Sequence, residues 1–304
     1  MNPTNQTILL ADQGLIRASG EDAAPFLHNL LTNDISHLAP GEARRAALCT
    51  AKGRMIASFL IWREGDDYLL QLSADILPGI LKKLSMYVLR SKVKLADISA
   101  ERALIGVIGP DIDALVGPQP PMTCSAFEGG TAIRLDADRC LLAVPANATD
   151  AFTAKFTGKA TPADLGAWLL GEIGHGIPRI VAATQEAFVP QMVNYETEAV
   201  GGVSFKKGCY PGQEVVARTH YLGKVKRRMV RVKLETAFPP GTDVFTPEAG
   251  EQHCGAVVLT APAPAGGFES LLVVQSSGAQ ADAVHVGKPD GPKAQLLPLP
   301  YSVD

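Results

Sequence analysis

The sequence predicts an α+β protein with a separate β domain at its C-terminal end. Strand-like runs alternate with helical apolar patterns up to Arg228, whereas residues 229–304 contain short apolar runs separated by Pro and Gly turns. With 46% hydrophobic and 19% charged residues, the composition is that of an ordinary globular protein that buries a core without disulfides or metals. We therefore predict an α+β region over 1–228, broken into two lobes near 117–125, and a β domain over 229–304.

The first elements follow from the spacing of apolar residues. The segment from Leu9 to Ala18 is apolar on both sides of Asp12-Gln13-Gly14, which predicts a hairpin. Ser19 is suited to cap a helix because Glu21 and Asp22 follow it, and acids stabilise the first turn of a helix. The apolar face of this helix comprises Phe26, Leu27, Leu30 and Leu31.

A basic turn joins the next two strands. Ala46 to Thr50 and Met55 to Arg63 are strand-like, and Gly53 between Lys52 and Arg54 indicates the turn between them. The two cations make this turn suitable for binding a carboxylate or a phosphate.

Several elements complete the region before the β domain. The patterns predict strands over 68–73, 90–96 and 103–108, helices over 74–89, 111–116 and 147–156, and a hairpin over 133–144. Thr161, followed by Pro162 and Asp164, predicts the start of another helix, because these residue types favour the cap and the first turn.

The charge distribution is uneven although the net charge is only −3. Such a small net charge does not draw the whole chain onto nucleic acid or an anionic membrane. From Lys206 to Arg231, however, eight Lys or Arg residues stand against one acid, Glu214. This basic stretch suits an anionic ligand or RNA, and equally a solvated surface.

The cysteines predict a reducing environment. The sequence has five of them, an odd number, and no CxxC pair, so we predict neither a zinc ribbon nor a four-cysteine cluster site, and no metal ligands. Met1 to Leu10 lacks the features of a signal peptide, and no apolar run is long enough to cross a bilayer. We expect a cytoplasmic protein without a membrane partner. Dinucleotide, phosphate-loop, zinc-protease and serine-hydrolase motifs are absent, so residue patterns alone name no reaction.

The most reactive candidate is Cys209. It lies between Gly208 and a Pro211-Gly212 turn, directly after two lysines. Most cysteines are small buried hydrophobic residues, but a turn with neighbouring cations favours an exposed thiol whose thiolate is stabilised. We interpret Cys209 as a functional thiol.

The stretch around Cys209 resembles the signature of the YgfZ family, written Lys-Gly-Cys-Tyr-x-Gly-Gln-Glu. The matching residues here are Lys207, Gly208, Cys209, Tyr210, Gly212, Gln213 and Glu214, and Arg218 follows in the same loop. Further segments are similar to that family as well: Phe26 to Ile35, Lys52-Gly53-Arg54, Tyr87 to Lys92 and Gly176-Ile177-Pro178.

The resemblance implies a fold like that of the glycine-cleavage T-protein, an aminomethyltransferase. That fold has three parts around a central cavity and a C-terminal β-barrel. The implied cofactor is tetrahydrofolate or a derivative, and an iron–sulfur cluster is implied only transiently. Asn33, Asp34 and Tyr195 are the candidates for the pterin ring, and Lys52, Arg54 and Arg90 for the glutamate tail.

Three functions follow as alternatives. The first is a folate-binding accessory protein for assembly or repair of iron–sulfur enzymes, including the radical enzymes that modify tRNA; its partners are folate and iron–sulfur client proteins. The second is one-carbon transfer on tetrahydrofolate. This sequence departs from the transferases at Gln213, where they have Lys or Arg, and at Gly174, where they have a glutamate. The third is direct RNA binding through the basic stretch.

Overall fold

The computed structural model describes residues 5–149, 156, 158–223, 225–280 and 282–303. Its contacts divide the chain into two compact units. The first unit comprises Met1–Ala46 and Phe59–Trp168, and the second comprises Ala47–Ser58 and Leu169–Asp304. These units differ from the predicted division at 228/229, which stays a prediction.

Six helices lie within the described residues: α1 (Ala23–Leu30), α2 (Leu77–Val88), α3 (Asp113–Val116), α4 (Leu165–Gly174), α5 (Gln213–Tyr221) and α6 (Ser276–Gln280). The described strands are β1 (Asn5–Leu9), β2 (Gln13–Ser19), β3 (Ala43–Cys49), β4 (Met55–Glu64), β5 (Asp67–Ser73), β6 (Lys94–Asp97), β7 (Arg102–Ile108), β8 (Thr123–Phe127), β9 (Gly130–Arg134), β10 (Arg139–Pro145), β11 (Ala160–Pro162), β12 (Arg227–Leu234), β13 (Asp243–Phe245), β14 (Gly255–Pro262), β15 (Phe268–Gln275), β16 (His285–Val286) and β17 (Gln295–Leu297). Short 3-10 turns lie at Ala146–Ala148, Ala182–Thr184, Pro190–Val193 and Pro247–Ala249.

The strands form three sheets. One has the order β11-β1-β7-β10-β9-β8, and another has the order β3-β4-β5-β2-β6. The third has the order β16-β13-β14-β15-β12-β17, its strands all lie between Arg227 and Leu297, and its strand pairs are antiparallel. The α+β class is therefore confirmed, whereas the three-part arrangement around a cavity and the closure of the last sheet into a barrel stay predictions.

The predicted hairpin from Leu9 to Ala18 is wrong. β1 and β2 follow each other in sequence but enter different sheets, where β1 pairs with β7 and β11 and β2 pairs with β5 and β6. Each strand has neighbours on both sides, and Ile8 and Ile16 are fully buried. Pairing with distant strands satisfies both edges of each strand, which a two-stranded hairpin cannot do.

The predicted helix start at Thr161 is also wrong. Residues Ala160–Pro162 form β11, which pairs in parallel with β1, so Thr161 lies in a strand. The helix begins at Leu165, and the backbone N–H of Ala167 donates to Oδ1 of Asp164 over 3.3 Å, which makes Asp164 the capping residue. Most of the predicted helix over 147–156 lies outside the described residues.

Each unit has its own apolar core. The core of the first unit contains Trp62 and Trp168, both with side chains at most 2% exposed. Gly106 is required there, because a Cβ atom at this position would lie 2.3 Å from the Trp168 ring. The core of the second unit includes Val232, Val257 and Leu272 from three neighbouring strands of the C-terminal sheet.

Among the described helices, none combines the length and the apolar composition that a membrane crossing requires.

Candidate functional site

The basic turn between β3 and β4 is fixed by its own hydrogen bonds. The N–H of Thr50 donates to the carbonyl oxygen of Arg54 over 2.8 Å, and the N–H of Gly53 donates to the carbonyl oxygen of Thr50 over 2.9 Å. The side-chain Oγ1 of Thr50 accepts from the N–H groups of Lys52 and Arg54. The turn is therefore rigid, and it holds the Lys52 side chain exposed to solvent.

A second turn packs directly against this one. Gly212 has φ +84°, and a Cβ atom there would lie 2.4 Å from the carbonyl oxygen of Thr50 and 2.7 Å from Cα of Gly53. Gly53 itself has φ +72°, and a Cβ atom there would lie 3.1 Å from Cβ of Val215. Two glycines thus allow two backbone turns to touch. We call residues 50–54 and 207–214 together the paired turns; both lie in the second unit.

Cys209 is exposed on the paired turns, unlike the other cysteines. All five cysteines lie in the described part of the chain; Cys49, Cys140 and Cys254 are buried and Cys124 is half-buried. Burial raises the pKa of the Cys49 and Cys140 thiols to about 12, and it raises the pKa of Cys124 as well. Cys209 is therefore the most accessible thiol of the five, and the one best placed to react with another molecule.

Tyr210 anchors the turn that carries Cys209. Its side chain is buried, and burial, followed by the nearby Cys49, raises the pKa of its phenol. The Lys207 ammonium lies 4.8 Å from the centre of the Tyr210 ring, in cation–π geometry, and Lys207 is buried too. Lys207 therefore supports the turn from inside, while Lys206 and Gly208 are exposed beside the thiol.

Helix α5 leads away from the cysteine turn. Gly212 is its N-terminal cap residue, and the N–H of Gln213 donates to the carbonyl oxygen of Tyr210 over 3.1 Å. Glu214 lies in the first turn and Arg218 in the last. Both charges are favourably placed, because the helix dipole favours acidic side chains at the start of a helix and basic side chains at its end.

Three rings cluster at the end of α5. Phe205 stacks on His220 with ring centres 3.8 Å apart, and Tyr221 meets both rings edge-on. Tyr221 is 67% exposed, and the neighbouring Leu222 is 84% exposed. This aromatic cluster is a surface feature that the sequence analysis missed, because Phe205 is far from His220 in the chain.

The basic stretch presents less free charge than its sequence indicates. Arg228 pairs with Glu196 and Arg231 with Glu269, and Lys207 is buried. Lys224 lies outside the described residues. Four cations have no acid partner within 4.0 Å among the described residues: Lys206, Arg218, Lys226 and Arg227.

The candidate folate residues of the second unit have different environments. Lys52 is exposed, whereas the Arg54 guanidinium donates to the carbonyl oxygen of Ala187 over 2.6 Å. Tyr195 is 1% exposed, and Gly202 packs against its ring, where a Cβ atom would lie 2.2 Å from Cδ1. Lys52 is thus available to a ligand, Arg54 bonds the backbone, and Tyr195 is a core residue.

Asn33 and Asp34 belong to the first unit and shape a turn. The Asn33 amide donates to the carbonyl oxygen of Arg45 over 2.8 Å, and its Oδ1 accepts from the N–H of Asp34. The Asp34 carboxylate lies 2.8 Å from the ring of His37 and 3.0 Å from that of His28. Burial acts to raise the pKa of Asp34, but hydrogen bonds from His37 and the charges of His37 and His28 lower it below its ordinary value.

Arg90 lines a cleft of about 680 Å³ in the first unit. Tyr87, Leu89 and Asp22 line the same cleft, next to the end of α2. Tyr87 is 43% exposed, and Asp22 accepts a hydrogen bond from the N–H of Lys92 over 2.7 Å. An aromatic wall, a cation and a carboxylate therefore meet here. The sequence analysis predicted Arg90 as a ligand-binding residue, but it assigned Asp22 only to the start of a helix.

Comparison with known proteins decides the family. The tRNA-modifying protein YgfZ of Photobacterium profundum is 33% identical over 312 residues, which cover 99% of this chain and 93% of that protein. The protein of the same name from Escherichia coli O127:H6 is 30% identical over 97% of this chain and 93% of its own length. The chain belongs to the YgfZ family.

Two further comparisons agree with the fold of the YgfZ family. The GCVT N-terminal domain family matches residues 10–146. The crystal structure of the glycine cleavage system aminomethyltransferase T from Bartonella henselae superimposes with a TM-score of 0.74 at 16% identity, covering 97% of this chain and 85% of that one. The aminomethyltransferase-like fold that the resemblance implied is therefore confirmed.

Proposed function

We propose that this YgfZ-family protein is a tetrahydrofolate-binding accessory factor for the assembly or repair of iron–sulfur enzymes, including those that modify tRNA. The observation that carries the proposal is the exposed thiol of Cys209 on the paired turns. A rigid backbone that presents one accessible thiol suits exchange with a client protein, since functional residues concentrate on loops that a scaffold holds in place.

The thiol acts without a cage of other cysteines. The four remaining cysteines are buried or half-buried, so Cys209 supplies one sulfur ligand or carries one sulfur atom at a time. A stable cluster needs several protein ligands. An iron–sulfur cluster is accordingly a transient cargo at this site.

The cleft at the end of α2 offers side chains that suit folate. Tyr87 supplies an aromatic wall for the pterin face, and Asp22 supplies a carboxylate for its N–H edge. Arg90 supplies a cation for the glutamate tail, which it binds by charge-assisted hydrogen bonds. Of the other candidates, exposed Lys52 is the one that remains suited to a ligand, and it lies in the second unit.

Thermal unfolding tests folate binding. Tetrahydrofolate raises the melting temperature, because a ligand that binds the native state alone stabilises it by about 2.7 kcal/mol at a hundred times its Kd. Arg90→Met removes most of the shift, whereas Lys82→Met, at an exposed position of α2, retains it. No shift at millimolar tetrahydrofolate contradicts folate binding, and an equal shift in both variants contradicts the cleft assignment.

Complementation tests the thiol. In cells lacking the gene, the wild-type chain restores the activity of iron–sulfur enzymes and Cys209→Ser does not. Cys124→Ser is the matched control, since that thiol is half-buried. Restoration by Cys209→Ser contradicts the proposed role. Production of methylenetetrahydrofolate from an aminomethyl donor by the purified protein would favour one-carbon transfer instead.

A second candidate function is contact with single-stranded RNA, favoured by the aromatic cluster and the four cations without acid partners in the described part of the basic stretch. Bases stack on exposed aromatic rings with about 1–3 kcal/mol each, and basic side chains follow the phosphates. We expect Tyr221→Ala to weaken binding of an unstructured RNA about tenfold, and Tyr87→Ala, in the first unit, to leave it unchanged. Binding that does not weaken as salt rises excludes this function.

A further inference from the structure

Helix α5 exposes large apolar side chains close to the thiol of Cys209. Val215 is 37% exposed, Tyr221 is 67% exposed, and Leu222, the C-terminal cap residue of the helix, is 84% exposed. Contiguous exposed apolar side chains mark surfaces that bind other molecules. Three such side chains make a small contact, which suits a transient partner better than a permanent subunit.

The helical repeat gathers these side chains on one face. Val215, Arg218 and Leu222 are three and four positions apart, which is the spacing of neighbours on a helix surface. The N–H of Leu222 donates to the carbonyl oxygen of Arg218 over 2.9 Å, so the helical hydrogen bonding continues to that residue. Val216 is fully buried. We call Val215, Arg218, Tyr221 and Leu222 together the outer face of α5.

The outer face adjoins the paired turns at one end. The helix begins at Gln213, whose N–H donates to the carbonyl oxygen of Tyr210, the residue after Cys209. Val215 lies against the basic turn, because its Cβ would be 3.1 Å from a Cβ atom at Gly53. At a rise of about 1.5 Å per residue, the helix extends about 12 Å from its first residue to its last. A partner segment of about three helical turns therefore covers the outer face and reaches the thiol.

The charges around the outer face favour an acidic partner. Lys206 and Arg218 are exposed and have no acid partner within 4.0 Å among the described residues, and Lys52 is exposed on the basic turn. Glu214, also exposed, is the one acid within α5. Three exposed cations against one acid attract carboxylates, and complementary charges steer the encounter of two proteins.

The remaining charged groups nearby do not reverse this balance. His220 is exposed and carries positive charge only when it is protonated. Glu198 is exposed as well, but it lines a neighbouring cleft whose described walls include no residue of the outer face. Lys224 lies outside the described residues and is not counted.

Two features favour a protein over RNA as the occupant. Val215 and Leu222 are aliphatic and pack on apolar side chains, whereas bases stack on aromatic rings. Glu214 lies between Cys209 and Arg218 in the chain, and its charge repels phosphates that follow the helix. We propose that the outer face of α5 docks an acidic amphipathic segment of a client protein and holds that client beside Cys209. The proposal rests on the proposed exchange between this thiol and its clients.

Thiol–disulfide exchange with synthetic peptides tests the docking surface. The probe is a helical peptide of about 14 residues with leucines and glutamates on one face and, at one end, a cysteine joined to thionitrobenzoate. The thiolate of Cys209 attacks the peptide sulfur, forms a protein–peptide disulfide and releases the thionitrobenzoate anion with the electron pair of the broken bond. We expect this probe to react about tenfold faster than a peptide with serines in place of the leucines, because docking raises the effective concentration of its sulfur.

Variants assign the effect to α5. Each peptide rate is divided by the rate with dithiobis-nitrobenzoate, which measures the reactivity of the thiol alone, and Cys209→Ser gives the background. Leu222→Ser lowers the rate of the leucine peptide to that of the serine peptide, and Arg218→Gln lowers it about threefold. Leu9→Ser is the matched control, because Leu9 is 58% exposed on β1 in the first unit, and it leaves the rate unchanged.

Equal rates for the two peptides, or for the wild-type chain and Leu222→Ser, overturn the docking surface. The proposal is also overturned if oligouridine slows the leucine peptide to the rate of the serine peptide, which assigns the face to RNA. A dimer that Leu222→Ser abolishes assigns the face to a second copy of the chain and overturns it likewise. These failures differ from failure of the proposed function, which restoration of iron–sulfur enzyme activity by Cys209→Ser would reveal.

Discussion

Cys209 and Cys49 lie in the same unit but in opposite environments. Cys49 ends strand β3 with 3% of its surface exposed, and burial raises the pKa of its thiol to about 12. Cys209 lies on the paired turns and is exposed. Two identical side chains therefore differ in availability because of the local backbone: the strand buries the thiol of Cys49, and the glycine-bounded turn exposes that of Cys209.

The largest expected effect is in alkylation rate. At about pH 8 a thiol with a pKa of about 12 is thiolate in about one molecule in ten thousand, because each pH unit below the pKa lowers the thiolate fraction tenfold. We expect a brief iodoacetamide pulse, mapped by mass spectrometry, to label the exposed Cys209 and to leave the buried Cys49 and Cys140 largely unlabelled. Comparable rates would show that the turn shields Cys209 and would remove the basis of the proposed function.

A smaller effect tests the turn itself. Gly212→Ala combines a left-handed backbone with a Cβ atom 2.4 Å from the carbonyl oxygen of Thr50, so we expect unfolding free energy to fall by about 2–4 kcal/mol. Gly250→Ala is the control: φ is +61° there, but nothing lies within 4 Å of the added atom, and the expected loss is about 1 kcal/mol. Equal losses in denaturant titrations would mean that the paired turns are not tightly packed.

The smallest effect, compared over a single pH unit, concerns alkaline pH. The Cys49 thiol has an ordinary pKa of 9.0 and a folded pKa of about 12, so its contribution to stability is complete below pH 9 and is lost as pH rises towards 12. In that window the unfolded state binds fewer protons, and unfolding free energy falls by about 1.4 kcal/mol per pH unit. Cys49→Ala should flatten the slope by this amount, whatever it does to stability at neutral pH. An unchanged slope would show that Cys49 is less buried.

The sequence predicted local elements well where their periodicity was strong. The strands around the basic turn, the helix ending at Val88 and the hairpin of β9 and β10 all form as expected. Errors arose where distant pairing decided the outcome. Asn5 pairs with Ala160, a partner that no local pattern around Thr161 indicates.

For the candidate site as well, the sequence predicted local features but not contacts between distant segments. The exposed turn of Cys209 and the basic turn of Gly53 were each evident from glycines and cations, but their contact was not, because it joins segments far apart in the chain. Tyr195 was assigned to a ligand on residue type alone and lies in the core.

The division of the chain into units has a consequence for its synthesis. Residues 47–58 include buried strand segments, yet they belong with residues 169–304, which the ribosome produces later. At roughly 5–20 residues per second, the 110 residues of Phe59–Trp168 take about 6–22 s to translate before any of residues 169–304 exists. During that interval residues 47–58 lack the rest of their unit, so the growing chain exposes apolar side chains that the folded protein buries.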